Sequence, residues 1–338
     1  MNQCSLLYTL NALYKSPYTD ACNGSIIFLN NMTNTQHSPL ITILGPTASG
    51  KTKLAVNLAK HFNGEIISSD SRQVYRQMDI GTGKDLDEYG DIPYHLIDII
   101  DPHQEYNLFD FSKDFCSSFS EIKKNNRLPF LVGGTGMYLD AVLSRYKLTI
   151  ANNSQKSRQT LEKKSDSELV NLLLSFNQSL HNTTDLKDRN RLINAISIAR
   201  ADKNNEPSIC WPDYTPFIIG IRVSQEMRRS RITERLKIRL NEGMIEEVQN
   251  LRDQGISAEK LHYFGLEYRY IGEYLAGGLN YNDMFQKLNS AIHHFSKQQE
   301  KWFRKIESKN QTIQWIDSQD DLNQIAIEKI TQFLNLYP

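Results

Sequence analysis

The sequence predicts an α/β fold: a P-loop NTPase-like parallel sheet flanked by helices, with an all-helical insertion domain. Three observations lead there. The apolar run Leu40-Ile41-Thr42-Ile43-Leu44 passes directly into Gly45-Pro46-Thr47-Ala48-Ser49-Gly50-Lys51-Thr52, which fits the phosphate-loop pattern G-x-x-x-x-G-K-[ST], and Leu54, Ala55, Leu58 and Ala59 follow at helical spacing. Short apolar runs at 64–68, 94–100, 129–132 and 217–221 recur along the chain with helical patterns among them, the alternation expected of a parallel sheet. Between 149 and 214 the chain turns polar and charged, with long helical patterns that have no place in that alternation.

Each element has a local reason. The glycines of the 45–52 loop let the backbone wrap a phosphate chain, so that N–H groups and a helix start face negative charge; Lys51 then reaches the terminal phosphates and the Thr52 hydroxyl is positioned to ligate Mg²⁺. Gly64 to Ser68 reads as the second strand, and Asp70 stands just past its end, on the rim where ligands of such sheets bind. Tyr94 to Ile100 reads as a further strand, Phe109 to Ile122 as a helix, and Pro129 to Val132 as a buried strand entering Gly133-Gly134-Thr135-Gly136 on the same rim. Helices are predicted over 166–180 and 185–201, with Asp166 and Asp185 as N-caps. Beyond the strand at 217–221 the chain is expected to be mostly helical, punctuated by Gly243, Gly255, Gly265, Gly272 and Gly277-Gly278.

The 338 residues, 39% of them hydrophobic, suffice for one large α/β core with an insertion. The expected division is a flexible N-terminal extension at 1–36, a first part of the core at 37–148, a helical insertion at 149–214, and the second core part with C-terminal helices at 215–338. The lead is expected to be dispensable, with Met32 as the biological start. A formal net charge of +0 argues against wholesale nonspecific nucleic-acid binding but leaves room for a local basic face. Arg222, Arg228, Arg229, Arg231, Arg235, Lys237 and Arg239 crowd one segment and suit such a face. The four cysteines are far apart and lack C-x-x-C spacing, which suggests neither a zinc site nor a disulfide framework and fits a cytoplasmic protein. No membrane span or signal peptide is expected.

Four ordered motifs, Gly45 to Thr52, Ser69-Asp70-Ser71-Arg72-Gln73-Val74-Tyr75, Met78-Asp79-Ile80-Gly81-Thr82-Gly83-Lys84 and Leu131-Val132-Gly133-Gly134-Thr135-Gly136-Met137-Tyr138, together resemble the bacterial tRNA dimethylallyltransferases, also called tRNA isopentenyltransferases. The later stretches 231–236 and 297–304 agree, and the likeness covers about residues 40 to 310. It implies transfer of a dimethylallyl group from dimethylallyl diphosphate to N6 of the adenosine 3′ of a tRNA anticodon, with the phosphate loop gripping the diphosphate. The resemblance assigns Arg235 to the leaving group, with Arg231 one turn earlier, and Thr135 to orienting the reacting groups. Adenine N6 is a weak nucleophile that needs a proton acceptor, and Asp70 is the candidate base. The resemblance puts RNA contacts at Asp70, Ser71, Arg72 and Gln73, at Arg158, at Asn190, Arg191, Leu192, Ile193 and Asn194, and at Leu261, His262, Tyr263, Phe264, Gly265 and Leu266. Asn194, where many members carry arginine, and Gly265-Leu266 in place of Gly-Tyr depart from the family pattern at RNA-contact positions. The expected partners are a tRNA anticodon stem-loop and the prenyl diphosphate, with the protein acting as a monomer. Two other enzymes fit the loop: a small-molecule kinase, with Asp98 or Asp101 holding Mg²⁺, and a prenyltransferase acting on free adenine nucleotide.

Overall fold

The computed structural model describes residues 38–149, 155–176, 189–204 and 208–336. The extension at 1–36, the Met32 start and the Asp185 cap lie outside the described residues. The first half of the core runs β1 (Ser38–Leu44), α1 (Lys51–His61), β2 (Gly64–Ser69), β3 (Tyr94–His95), α2 (Leu108–Lys124), β4 (Leu128–Gly133) and α3 (Gly136–Leu143). Three helices follow, α4 (Gln155–Glu162), α5 (Asp166–Phe176) and α6 (Arg189–Lys203). The chain then returns through β5 (Tyr214–Arg222), α7 (Gln225–Asn241), α8 (Met244–Asp253), α9 (Ala258–Phe264), α10 (Leu266–Leu275), α11 (Tyr281–Glu307), β6 (Ile313–Asp317) and α12 (Leu322–Leu334).

The strands form one sheet in the order β3-β2-β4-β1-β5-β6, and every pairing is parallel. β1 lies between β4 and β5, so the phosphate loop leaves the middle of the sheet at its carboxyl edge. Alternation explains why both faces are covered. Leu40 and Leu44 point into a large cluster with Phe111, Phe115, Phe119 and residues of α7 to α11, whereas Ile41 and Ile43 point into a second one with α1 and α12. α2 is fixed at its start by a capping box between Asn107 and Asp110.

The insertion builds a small core of its own from Leu161, Leu169, Leu173, Leu192, Ile193 and Ile196. A bridge between Thr149 and Ser208 and the Ile209 N–H bond to the Leu148 carbonyl at 2.9 Å close its base. The N-cap of α5 is Ser165 rather than Asp166: its hydroxyl accepts from the Glu168 N–H while Glu168 accepts from the Ser165 N–H, a reciprocal box that Asp166 is one residue too late to make.

Two elements differ from the sequence reading. The strand expected over 94–100 stops at His95, because Leu96 and Asp98 take left-handed backbone angles of +64° and +56° that turn the chain; only an isolated bridge joins Tyr75 to Ile100 further on. β6, an edge strand against β5, lies in a region read as helical. Its five residues, Ile-Gln-Trp-Ile-Asp, are too short to declare a period. Among the described residues no helix is long and apolar enough to cross a membrane.

The sheet is tightest where β4 passes β2. A Cβ at Gly133 would collide with the Ser69 carbonyl, a backbone atom that cannot rotate away. Gly133→Ala is therefore expected to cost about 2 kcal/mol or more, measured by urea unfolding; wild-type stability would mean that the two strands part freely there.

Candidate active site

A cavity of about 750 Å³ opens at the carboxyl ends of β1, β2 and β4, lined by the phosphate loop, the 70–73 turn, the 81–85 loop, Thr135, α7 and the start of α10. The phosphate loop is shaped by left-handed angles at Ala48 (+60°) and Gly50 (+85°). The first-turn N–H groups of α1 have no carbonyl one turn back, so they face the ligand space. The side chain of Gln299 on α11 fastens the loop from behind: its Oε1 accepts from the Thr47 N–H at 2.9 Å and its Nε2 donates to the Gly134 carbonyl at 3.0 Å. Gly134 has to be glycine for this, since a Cβ would meet that same Nε2.

Asp70 Oδ1 accepts from the N–H groups of Arg72 at 2.9 Å and Gln73 at 3.4 Å, so the residue caps its own turn as well as lining the cavity. Thr135, at the start of α3, accepts from the Ser71 N–H at 3.2 Å and so ties that turn to β4. Gln73 bridges the Ser68 hydroxyl at 2.8 Å to the Gly83 carbonyl at 3.0 Å, which links the turn to the 78–85 loop. That loop is pinned by two groups that sequence reasoning missed or undervalued. Glu247 accepts from the N–H groups of Asp79, Ile80 and Gly81 at 2.7, 2.7 and 3.0 Å and from the Tyr268 hydroxyl at 2.8 Å. Lys84 is fully buried and donates to the Tyr75 carbonyl at 2.7 Å, to Asp79 at 2.6 Å and to Asp98.

Cations and carboxylates meet on the inner wall. Arg235 and Arg239, one turn apart on α7, converge through Nη2 on the Asp85 carboxylate, at 3.0 Å and 3.2 Å. Burial, then Arg239, holds the Arg235 guanidinium down at about 10. Burial and the Arg235 charge bring the Lys51 ammonium down to about 8, with Asp70 opposing. Glu267 and Glu88 are pushed above the ordinary carboxylate range by desolvation, in spite of the arginines. Arg231 lines the cavity one turn before Arg235. The set has more cationic than anionic pull on Lys51 and fits a polyanion.

At the mouth, Arg72 stacks on the exposed Tyr263 ring, 4.6 Å to its centroid, and Phe264 lies 4.9 Å from Tyr75. Gly265 joins α9 to α10 with φ +122° and ψ −166°, angles essentially reserved for glycine. Gly265, Leu266 and Phe264 line the cavity and His262 is exposed, whereas Leu261 is core. Away from the cavity, Arg158 brings α4 to α6 by donating to Asn190 at 3.2 Å and Asn194 at 3.5 Å, while also pairing with Glu162 at 3.0 Å. Arg191 sits beside them on α6, but the side chains of Leu192 and Ile193, 0% and 2% exposed, belong to the insertion's core and do not reach a surface. Their helical spacing beside the polar face is the signal that separates them.

The basic segment does not form one face. Arg228 is buried against Glu300, Arg222 points to Asp317 and lies over Trp315, and Arg235 and Arg239 turn inward to Asp85. Arg222 ends β5, and the other six cations stand on α7, where 3.6 residues per turn distribute them round the helix. Asp98 and Asp101, the kinase candidates for Mg²⁺, are paired with Lys84 and His103 and do not line the cavity. Thr52 does line it, together with Asp70 and Asp85. Hard oxygens of this kind suit Mg²⁺, which takes one or two protein oxygens and completes its shell with phosphate and water. Among the described residues no group of three or more His, Cys, Asp or Glu is arranged to hold a metal alone.

Fold and cavity together define a phosphate-loop α/β protein with a cavity at the strand ends, lined by Lys51, Arg231, Arg235 and Arg239. The family described as IPP transferase matches residues 73–306, and that described as isopentenyl transferase matches 39–89. The chain is 54% identical over 282 residues to tRNA dimethylallyltransferase 1 of Geotalea uraniireducens, covering 83% of this chain and 93% of that protein. It is 48% identical over 301 residues to tRNA dimethylallyltransferase 2 of Phocaeicola vulgatus, covering 88% and 97%. Among solved structures it is similar to the tRNA isopentenylpyrophosphate transferase of Bacillus halodurans, with TM-score 0.64 and 32% identity over 88% of this chain and 96% of that one. The fold is also shared, at TM-score 0.75 and 23% identity over 89% and 80% of the two chains, with a eukaryotic dimethylallyltransferase acting on tRNA. The chain belongs to the IPP transferase family.

The lowered pKa of Lys51 makes the unliganded site unfavourable for folding. Below about pH 8 the folded protein keeps Lys51 charged at a cost that the unfolded chain, with its ordinary value of 10.5, does not bear; the cost fades as pH rises from 8 to 10.5. Lys51→Met is thus expected to stabilise the unliganded protein by about 1–2 kcal/mol at pH 7 and by much less at pH 10.5. Urea unfolding at both pH values checks this.

Proposed function

We propose that this protein transfers a dimethylallyl group from dimethylallyl diphosphate to N6 of the adenosine immediately 3′ of a tRNA anticodon, tRNA position 37. The observation that carries the reading is the meeting, in one cavity, of a phosphate loop, an arginine cluster and a strand-end carboxylate. The 45–52 loop and Lys51 would hold the diphosphate, with Arg235 and Arg231 stabilising charge that builds on it as the allylic C–O bond breaks. Bound Mg²⁺, taken by Thr52 and the phosphates, would supply further neutralisation of the leaving group. Val132, Ile292 and Leu266 offer an apolar lining for the prenyl group.

The nucleophile is an amine whose lone pair is delocalised into the adenine ring, so it gains reactivity only as its proton leaves. Asp70 is suited to receive that proton: both of its backbone bonds fall on Oδ1, which fixes the carboxylate plane and leaves Oδ2 for the amine. Thr135 acts on the same turn through the Ser71 N–H. The adenine must leave the anticodon-loop stack to arrive here, and the Arg72–Tyr263 pair at the mouth is a stacking surface for a splayed base. The Arg158–Asn190–Asn194 cluster offers a further polar contact on the insertion. The enzyme is proposed to work in the cytoplasm, where tRNA is available, and as a monomer.

Incubation with dimethylallyl diphosphate, Mg²⁺ and unmodified tRNA, followed by nucleoside mass analysis, is expected to yield N6-dimethylallyladenosine; free adenine nucleotide taken in preference to tRNA would overturn the acceptor. Asp70→Asn keeps an oxygen for the two N–H groups, so donor binding should persist while transfer falls by about 10²-fold or more. Arg235→Ala is expected to slow single-turnover transfer by about 10²-fold; an effect confined to tRNA affinity would remove Arg235 from the leaving group.

A further inference from the structure

Asp85 is an unusual resident for a phosphate site. Its carboxylate receives Nη2 of Arg235 at 3.0 Å and bridges Nη2 of Arg239 with both oxygens at 3.2 Å, so one carboxylate serves two guanidinium groups. The residue holds a left-handed backbone angle, φ +46° and ψ +49°, at the head of a short turn over 86–88. Two positions earlier, Gly83 (φ +66°) lies so close to both guanidinium groups that a Cβ there would collide with them. Loop and helix are therefore fitted to each other at this point.

The pairing is uneven in charge and in exposure. Arg239 is 12% exposed and Asp85 43%, so the anion stands on the solvent side of a cation that is largely withdrawn from water. Arg239 also bears on Lys51, and both Arg235 and Arg239 lie on the α7 face that lines the cavity. Lys51, Arg235 and Arg239 face Asp70, Asp85, Glu88 and Glu267, and of these carboxylates Asp85 is the one hydrogen-bonded to the two arginines. A diphosphate offers the two guanidinium forks more oxygens than a single shared carboxylate does.

We propose that Arg239 is a second guanidinium ligand for the diphosphate, and that Asp85 is its resident counter-ion, exchanged for the diphosphate on binding and restored on release. This rests on the prenyl-diphosphate reading. In the exchange the arginines never stand unpaired: the carboxylate holds them apart from each other's repulsion in the empty site, and the phosphate oxygens take its place in the filled one. Asp85 thereby competes with the anion and weakens retention of the diphosphate product, while Arg239 strengthens it. No covalent bond changes in this step.

The test is calorimetric titration of inorganic pyrophosphate with Mg²⁺ into the full chain, alongside steady-state transfer. Asp85→Asn, close to isosteric, should tighten pyrophosphate about fivefold, and Arg239→Gln should loosen it about tenfold. In the Arg239→Gln background the gain from Asp85→Asn should shrink. Arg239→Lys should restore only part of the affinity, since it keeps charge without the fork. As a readout free of substitutions, the Nε resonances of Arg235 and Arg239 in the wild-type protein should shift together on adding pyrophosphate. Unchanged or weaker binding by Asp85→Asn would make Asp85 a scaffold only, and unchanged binding by Arg239→Gln with a motionless Arg239 resonance would remove Arg239 from the site. If wild-type protein transfers the prenyl group yet the variants bind pyrophosphate as it does, this inference fails alone; if wild-type protein neither binds pyrophosphate nor transfers, both readings fail.

Discussion

Lys51, Arg235 and Arg239 are held together at the end of a parallel sheet, partly withdrawn from water and so less screened from one another than on an open surface. Arg235 heads the charges that hold down Lys51, and burial adds to the effect on both. Such a cluster persists only because the surrounding structure fixes it, and it becomes comfortable only when a polyanion arrives. The phosphate loop alone would not create this demand. It arises because α7, coming from the far side of the insertion, lays its inward arginines beside the loop that follows β1.

Much of the remaining chain serves to keep those parts in register. Gln299 joins the phosphate loop to the β4–α3 turn from a distance of 252 residues along the chain. Glu247 gathers three successive N–H groups of the 79–81 loop and adds a tyrosine hydroxyl, and Lys84 closes the other side of that loop from within the core. Gln299 and Lys84 are removed from water and Glu247 is partly so, each satisfied by several partners, the condition under which burial of such groups is tolerated. The cavity-facing side chains can then be few, because the backbone behind them is tied at several points.

What the sequence revealed and what it hid divide along physical lines. Phosphate loop, strand ends and the main helices were legible because each is a local pattern: glycines where the backbone must turn left-handed or come close, and apolar periods of two or 3.6. The β3 strand was read too long since an apolar run gives no sign of the left-handed turns at Leu96 and Asp98. β6 was missed because a short edge strand is indistinguishable from the end of a helical tract. At the site, Asp70, Thr135 and Arg235 stand in motifs and converge as read, but their roles in chemistry rest on proposal. Asp85, Glu247 and Gln299 left no local signature, for their meaning lies in contacts between residues 150 or more apart. Arg239 was visible in the sequence only as one of seven cations; its spacing of four from Arg235 was the available clue that the two share a face.

The central claim is that this cationic cradle grips the diphosphate of a prenyl donor beside Asp70. The most direct measurement is a crystal structure with the unreactive thio-analogue of dimethylallyl diphosphate and Mg²⁺. The account predicts the diphosphate seated on the 45–52 loop against Lys51 and Arg235, with its first prenyl carbon facing Asp70; an analogue bound elsewhere, or a cradle occupied by ATP in preference to it under competition, would contradict it.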